Sequence, residues 1–242
     1  MKEGLLEKIR SRGYWRINFR PLVYVQKIPE LCDCGRIIEE NAVSLRGWDY
    51  PPFPVRMDKN MGIEVGENFY QGWIDWRNYL EFWRMYQSGQ FIHYRALWED
   101  WIEENENFKY LLQTIKPMTK IGIGEVICQI TEIFEFLSRL ARKGIYDEGV
   151  QVSIGLYNMQ NRELWNDIRG RSSLSRPYKT VAKEIKFEKE FTKEQVIYDS
   201  KILAFEAIKY IFDRFGWHDL PTDSIKKLQD DFLAGKLLAG KL

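Results

Sequence analysis

Two histidines, three cysteines and a modest set of acids are what this 242-residue sequence offers for proton, electron or metal chemistry. His93 and His218 stand far apart, and neither has a Cys or a second His at metal-ligand spacing. His93 lies in an aromatic run, where it could serve as a base or could bond a neighbouring strand. Cys32-x-Cys34 is one residue too short for a Cys-x-x-Cys redox pair, and Cys128 has no companion. An odd count without framework spacing points to reduced thiols and a cytoplasmic setting. Lys120-Ile-Gly-Ile-Gly precedes a helical pattern, with Gly122 and Gly124 where phosphate loops place glycines. The third glycine of a dinucleotide fingerprint is absent, because Ile occupies position 127, and there is no Gly-Lys-Ser/Thr. A loop that caps a helix needs no more than this pair. No metal and no cofactor is implied.

Three arrangements carry more specific chemistry. Glu184-x-Lys186 places an acid and a lysine two apart on one strand, as restriction-type nucleases do, and Asp49 could supply the earlier acid of a Mg²⁺ site. The same alternation is the wet face of any antiparallel strand. Arg169-Gly-Arg171-Ser-Ser-Leu-Ser-Arg176-Pro-Tyr-Lys179 combines guanidinium forks, hydroxyls and a glycine, the residue types that hold phosphate. With Tyr14, Arg16 and Arg20 on one strand face it would form a basic surface with a stacking ring, suited to single-stranded nucleic acid. Finally, Phe69–Trp101 holds five of the nine tryptophans and seven further Phe or Tyr residues. Within it, Trp76, Arg77, Trp83, Arg84, Tyr86 and Gln87 are candidate partner-binding residues on a predicted helix, since Trp, Tyr and Arg dominate binding hot spots. A core stripe is the alternative.

Alternation and helical spacing define the elements that must position these groups. Tyr14–Val25 alternates as a strand, with Pro21 suggesting an edge. Leu31, Cys34 and Ile38 mark a helix to about Asn41. Residues 42–50, 55–57, 61–65 and 69–74 read as strands, and roughly 76–87 as a helix with Trp76, Leu80, Trp83 and Gln87 in one stripe. Ser88-Gly89 breaks that helix. The strand over 90–98 is mixed on both faces, as a central strand would be. Glu99–Glu106 carries five acids and no base and reads as a solvated connection. The helix over about 124–143 shows Ile127, Ile130, Phe134, Leu137 and Ala141 on its core face and stops at Gly144. Residues 149–157 form a strand, and 158–179 a mobile loop. Ile185, Phe187 and Phe191 then alternate against Glu and Lys, and a Thr192-x-x-Gln195 capping box opens a helix to Phe215. A last short helix precedes a tail, 233–242, with a tandem LAGKL repeat that reads as frayed.

This order predicts an α+β fold, a largely antiparallel sheet with helices packed on it, in a single domain spanning 1–242. The net charge of +1 gives no overall bias toward nucleic acid or acidic membranes. No apolar run approaches a membrane span, and the first residues lack a signal-peptide core.

The strings GYWRINFRP, SLRGWDYP and FWRMYQSGQFIHY resemble an uncharacterised bacterial domain family that is sometimes joined to an AlbA-like DNA-binding module. The resemblance covers about residues 13–105, and the acids of the AlbA-like module are not among the residues here. It implies a bacterial cytosolic module that works beside a nucleic-acid-linked or antiviral partner, and it carries over no site residue. Together the readings predict a non-catalytic binding or sensing module acting through protein contacts. Direct nucleic-acid binding and a metal-dependent nuclease are the alternatives.

Overall fold

The computed structural model describes residues 2–54, 56–168 and 174–236. Its strands are β1 (Tyr14–Pro21), β2 (Val43–Ser44), β3 (Asp49–Tyr50), β4 (Met61–Val65), β5 (Phe69–Trp76), β6 (Tyr79–Tyr86), β7 (Phe91–Ala96), β8 (Lys120–Gly122), β9 (Val150–Tyr157), β10 (Glu163–Trp165) and β11 (Glu184–Phe191). The helices are α1 (Leu5–Arg10), α2 (Leu31–Asn41), α3 (Ile123–Arg142), α4 (Lys193–Tyr198), α5 (Ser200–Asp213) and α6 (Thr222–Leu233). Two 3₁₀ segments, Trp98–Glu104 and Glu106–Gln113, link β7 to β8.

Seven strands form one antiparallel sheet in the order β11-β9-β1-β7-β6-β5-β4, which makes the protein an α+β fold. Strand β7 is the fourth of the seven, so the segment that is mixed on both faces occupies the middle. One face packs on the helices. Trp15, Ile17 and Phe19 of β1 meet Ile154 of β9, Phe187 of β11 and the apolar stripe of α3 in the main core. The long helix α3 ends in a left-handed Gly144, φ 81°, where the Ile145 N–H bonds back to the Leu140 carbonyl and that of Gly144 to Ala141. The other face is covered in part by α1, whose Leu5 and Ile9 cap Trp73, Leu80, Phe82 and Tyr94.

Several expectations change. The 76–87 segment is not a helix: β5 and β6 form a hairpin that turns at Arg77-Asn78, with Trp76 opposite Tyr79. A stripe at 76, 80, 83 and 87 draws on both faces of a strand, because only alternate residues share a face. Leu80 and Phe82 go to the α1 side, while Trp83 and Met85 go to the main core. Strand β1 is not an edge. It pairs with β7 only as far as Phe19, so Pro21, opposite Val150, leaves no β7 bond unmade. The acidic connection is not solvated at its start, for Glu99 and Asp100 are fully buried. Within 158–179, read as a loop, residues 163–165 form β10, parallel to β8. The helix to Phe215 is divided at Asp199 into α4 and α5, and the Thr192–Gln195 capping box opens the first. Arg169 and Arg171 of the basic loop lie outside the described residues, as does most of the 233–242 tail.

Candidate ligand-binding site

Within its apolar surface, α3 carries Glu125, Gln129 and Glu132, spaced four and three apart and therefore on one face. All three are buried. Arg46, 1 % exposed, reaches them from the tight β2–β3 hairpin, where Gly47 takes φ 85°. Its Nε donates to Glu132 Oε1 at 3.0 Å, Nη1 to Glu125 Oε2 at 2.6 Å and Nη2 to Gln129 Oε1 at 3.2 Å. A further short ion pair joins Nη2 to Glu132 Oε2.

The sheet completes the network. Arg95 of β7 pairs with Glu125 at 3.0 Å and with Glu81, its β6 register partner, at 3.3 Å. Glu81 Oε2 lies 3.0 Å from His93 Nε2, and His93 Nδ1 lies 3.3 Å from the Tyr50 hydroxyl. The ionised Glu81 accepts from His93 Nε2, and the other ring nitrogen meets the Tyr50 hydroxyl. A chain of polar groups thus runs from Tyr50 to Glu132 between sheet and helix.

Its protonation follows from competition between burial and pairing. Burial pushes the Glu125 carboxyl up, but Arg46 and Arg95 together outweigh it and hold it below the usual carboxylate range. Burial opposes Glu81 as well, and the Arg95 charge with the His93 hydrogen bond again prevails. At Glu132 burial wins over Arg46, and the carboxyl is raised. Arg46 is held well above its ordinary value; burial disfavours its charge, and Glu125 and Glu132 overcome that.

Above this floor opens a cavity of 470 Å³ whose walls are mainly aromatic: Trp48, Tyr79, Trp98, Phe108, Tyr110 and Trp165. Trp48 meets Tyr79 edge-on at 5.8 Å and Trp98 meets Phe108 at 5.9 Å. Asn78, Asn166 and Asp167 complete the rim, and Arg46, Arg95 and Glu125 form the base. The volume lies in the range of small-molecule sites, as does the mixture of rings with a few polar groups.

Asp167 explains the Gly122/Gly124 pair. Its carboxylate accepts the backbone N–H of Gly124 at 2.6 Å and of Glu125 at 2.9 Å, filling the anion site that the α3 N-terminus offers. A Cβ on Gly122 would come within 2.2 Å of Asp167 Oδ2, so the glycine lets the acid approach. The loop caps a helix and the phosphate position is taken. Burial, stronger than these two donors, pushes Asp167 up to about 6. Beside it Glu99 accepts the Gly122 N–H at 2.8 Å, and burial followed by the Glu125 charge pushes Glu99 up to about 8.

No family model, curated protein or solved structure matches this chain. The geometry is what bears on function.

The sequence-derived site residues fall into separate places. Trp76 and Arg77 sit together at the β5–β6 turn, with the guanidinium 4.6 Å from the ring. Trp83 is buried and donates to the Pro52 carbonyl at 2.7 Å. Arg84 and Tyr86 lie on the opposite face of β6, Arg84 stacked 3.9 Å over Phe69. The Gln87 side chain bonds the Ile28 and Pro29 carbonyls. They do not form one helical surface, because there is no helix to display them.

Asp49, Glu184 and Lys186 are not assembled either. Glu184 and Lys186 pair with each other at 3.0 Å on the edge strand β11 and point away from the core. Asp49 lies in the β2–β3 hairpin, which packs on α3 at the other face of the sheet. Among the described residues no three His, Cys, Asp or Glu side chains gather as a metal site. His218 is exposed beside Asp213, and His93 belongs to the buried network. The three cysteines are free thiols; burial pushes Cys34 up to about 11 and raises Cys128 further.

Tyr14, Arg16 and Arg20 do share the open face of β1. Tyr14 stacks on Tyr157 at 4.8 Å and on Tyr94 at 6.0 Å. Arg176 lies over Tyr178, and Lys179 is 3.5 Å from Glu163.

Sequence reasoning missed Arg46, Arg95, Glu81, Glu99 and the acids of α3. The legible signal was the stripe Glu125, Gln129, Glu132 within an otherwise apolar helix. Such a stripe inside a core demands buried cations.

Proposed function

We propose that this chain is a binding or sensing module whose ligand enters the aromatic cavity over the Arg46–Glu125–Arg95 floor. The observation that carries the reading is the cavity itself: six rings around a base whose charged groups already satisfy one another. An acid or base poised for chemistry needs a substrate-facing lone pair or proton. Both Glu125 oxygens are instead engaged by arginines, both Asp167 oxygens by backbone N–H groups, and His93 by Glu81 and Tyr50. A site so internally committed favours recognition over turnover. In a bacterial multi-protein system, as the resemblance implies, occupancy would be passed to a protein partner.

Thermal unfolding in the presence of a broad set of small metabolites tests this. A ligand at 100 times its Kd stabilises by about 2.7 kcal/mol, a rise of several degrees for a chain of this size. Such a rise is expected with the native protein and is expected to vanish in a Trp48→Ala, Trp98→Ala variant. Equal responses of both proteins to every compound would sink the reading.

A second reading, nucleic-acid binding, has one observation in its favour. Tyr14 and Tyr157 form a stacked pair on the open sheet face, backed by the buried Tyr94, with Arg16 beside Tyr94 and Lys186 over Tyr157. This reading predicts that a single-stranded oligonucleotide binds with an affinity that falls steeply with salt. Replacing Arg16, Arg20 and Arg176 by alanine is expected to flatten that dependence, by about 0.7 units of slope for each phosphate no longer neutralised. Unchanged binding after the triple replacement would remove it.

A further inference from the structure

The chemistry of the cavity also limits what can occupy it. We infer that its ligand is an uncharged, planar heteroaromatic ring bearing hydrogen-bond acceptors, the chemistry of a nucleobase presented as a free nucleoside. This inference rests on the binding reading above and narrows it.

Three observations converge. The first is shape. The walls are rings, and flat π-surfaces are matched best by another flat ring that can stack on one and meet another edge-on. The second is charge. The base contributes Arg46, Arg95 and Glu125, bound to one another, and the rim contributes Asp167, bound to the α3 N-terminus. An anionic ligand would find the guanidiniums occupied and the helix N-terminus filled. A cationic ligand would have to compete with Arg46, whose guanidinium already lies 5.5 Å from the Trp48 ring, and would approach two fixed positive charges. An uncharged ring avoids both penalties.

The third is the hydrogen-bond inventory. Asn78 is 1 % exposed; its Oδ1 accepts from Asn105 at 2.6 Å, but its Nδ2 has no partner among the described residues. The indole Nε1 of Trp165 is likewise buried without one. Both residues line the cavity, both unpaired atoms are donors, and both are shielded from solvent. Native proteins leave few buried polar atoms unpaired. Carbonyl oxygens or ring nitrogens on a seated ligand would supply the missing acceptors once the ring wall adjusts to admit them. Two donors select an acceptor-bearing ring over a plain hydrocarbon and fix its orientation.

Calorimetric titration of the full chain with adenosine, guanosine, cytidine and uridine tests the inference, with their four monophosphates, choline and glucose as counter-probes. At least one nucleoside is expected to bind one to one, and its monophosphate no more tightly. Trp165→Phe, which removes only the indole donor and keeps a ring, and Asn78→Ala are each expected to weaken that nucleoside by about tenfold. Circular dichroism checks that both variants fold, and Trp165→Phe carries the test if Asn78→Ala does not. If choline or glucose binds, and Trp98→Ala abolishes it while nucleosides stay silent, the cavity is a binding site and the assigned ligand class is wrong. A monophosphate that binds far more tightly than its nucleoside overturns the charge argument. Silence of all four nucleosides overturns the inference, while the wider metabolite screen still decides whether the cavity binds anything.

Discussion

Replacing Asp100 with alanine is expected to destabilise this protein by about 3–5 kcal/mol, the usual result of leaving one half of a buried ion pair alone. Asp100 is fully buried and joins four stretches of chain. Its Oδ1 accepts from Arg162 Nη1 at 2.8 Å and from the Met118 N–H at 2.7 Å. Its Oδ2 accepts the Gly13 N–H at 2.7 Å and a short bond from Arg162 Nη2. Alanine would strand the Arg162 guanidinium, itself fully buried, together with two backbone donors. Urea unfolding followed by tryptophan fluorescence should show a midpoint lower by roughly 1–2 M. Glu40→Ala is the internal comparison, because Glu40 and Lys143 pair at 3.4 Å with half of each side chain exposed. Its loss should cost no more than about 1 kcal/mol. Similar midpoints for the two variants would show that the Asp100 cluster does not hold these segments together.

That cluster illustrates where the sequence can be read and where it cannot. Local periodicity is enough for β11, where Ile185, Phe187 and Phe191 are buried between exposed Glu and Lys. It is enough also for α3 with its Gly144 stop, and for the centrality of β7. These features depend on neighbours a few residues away. The acids of 99–106 do not, for what buries Asp100 is an arginine 62 positions later. Five acids within eight residues therefore look solvated until the distant partner is placed. The β5–β6 hairpin fails for a different reason. Trp76, Leu80 and Trp83 satisfy helical spacing, yet once the turn at Arg77-Asn78 is admitted Leu80 and Trp83 fall on opposite faces of β6, each buried by a different layer. Arg77 takes φ 55°, a conformation that neither Arg nor its context advertises.

The candidate site is hidden by the same rule. Its rings come from the β2–β3 hairpin, the β5–β6 turn, both 3₁₀ segments and β10, so no window of sequence contains more than a fraction of it. Trp98 belongs to the aromatic run, but nothing local associates Trp48 and Trp165 with it. The aromatic run itself divides. Trp83 and Phe91 build the main core, Trp73, Phe82 and Trp101 build the layer under α1, and Tyr79 and Trp98 line the cavity. Most of the run is core, and a minority of it faces a ligand.

Stability of the native protein is expected to fall as pH rises through the neutral range, and Glu99→Gln is expected to remove most of that fall. The ordinary value for this carboxyl is 4.5, and burial with the Glu125 charge lifts it to about 8 in the folded chain. Between those values the folded state keeps a proton that the unfolded state has released. The folded state binds more protons there, so raising the pH favours unfolding, by roughly 1.4 kcal/mol for each pH unit. Above about 8 the contribution levels off. Asp167, raised from 3.8 to about 6, acts in the same direction over a lower window. Glu81 and Glu125 are lowered, so their effects lie below 4.5, where acid weakens the fold instead. Glu132 is raised as well and acts in the same direction, so it is the difference between the native protein and Glu99→Gln from pH 6 to 8 that assigns the decline to Glu99. Glutamine keeps an oxygen for the Gly122 N–H and cannot ionise; its amide also takes the place of Oε2, which has no partner among the described residues. Urea midpoints measured at pH 6, 7 and 8 should decline in the native protein and stay nearly level in the variant, which becomes the more stable of the two at pH 8. Parallel declines would assign the pH dependence to another group and leave Glu99 ionised in the folded chain.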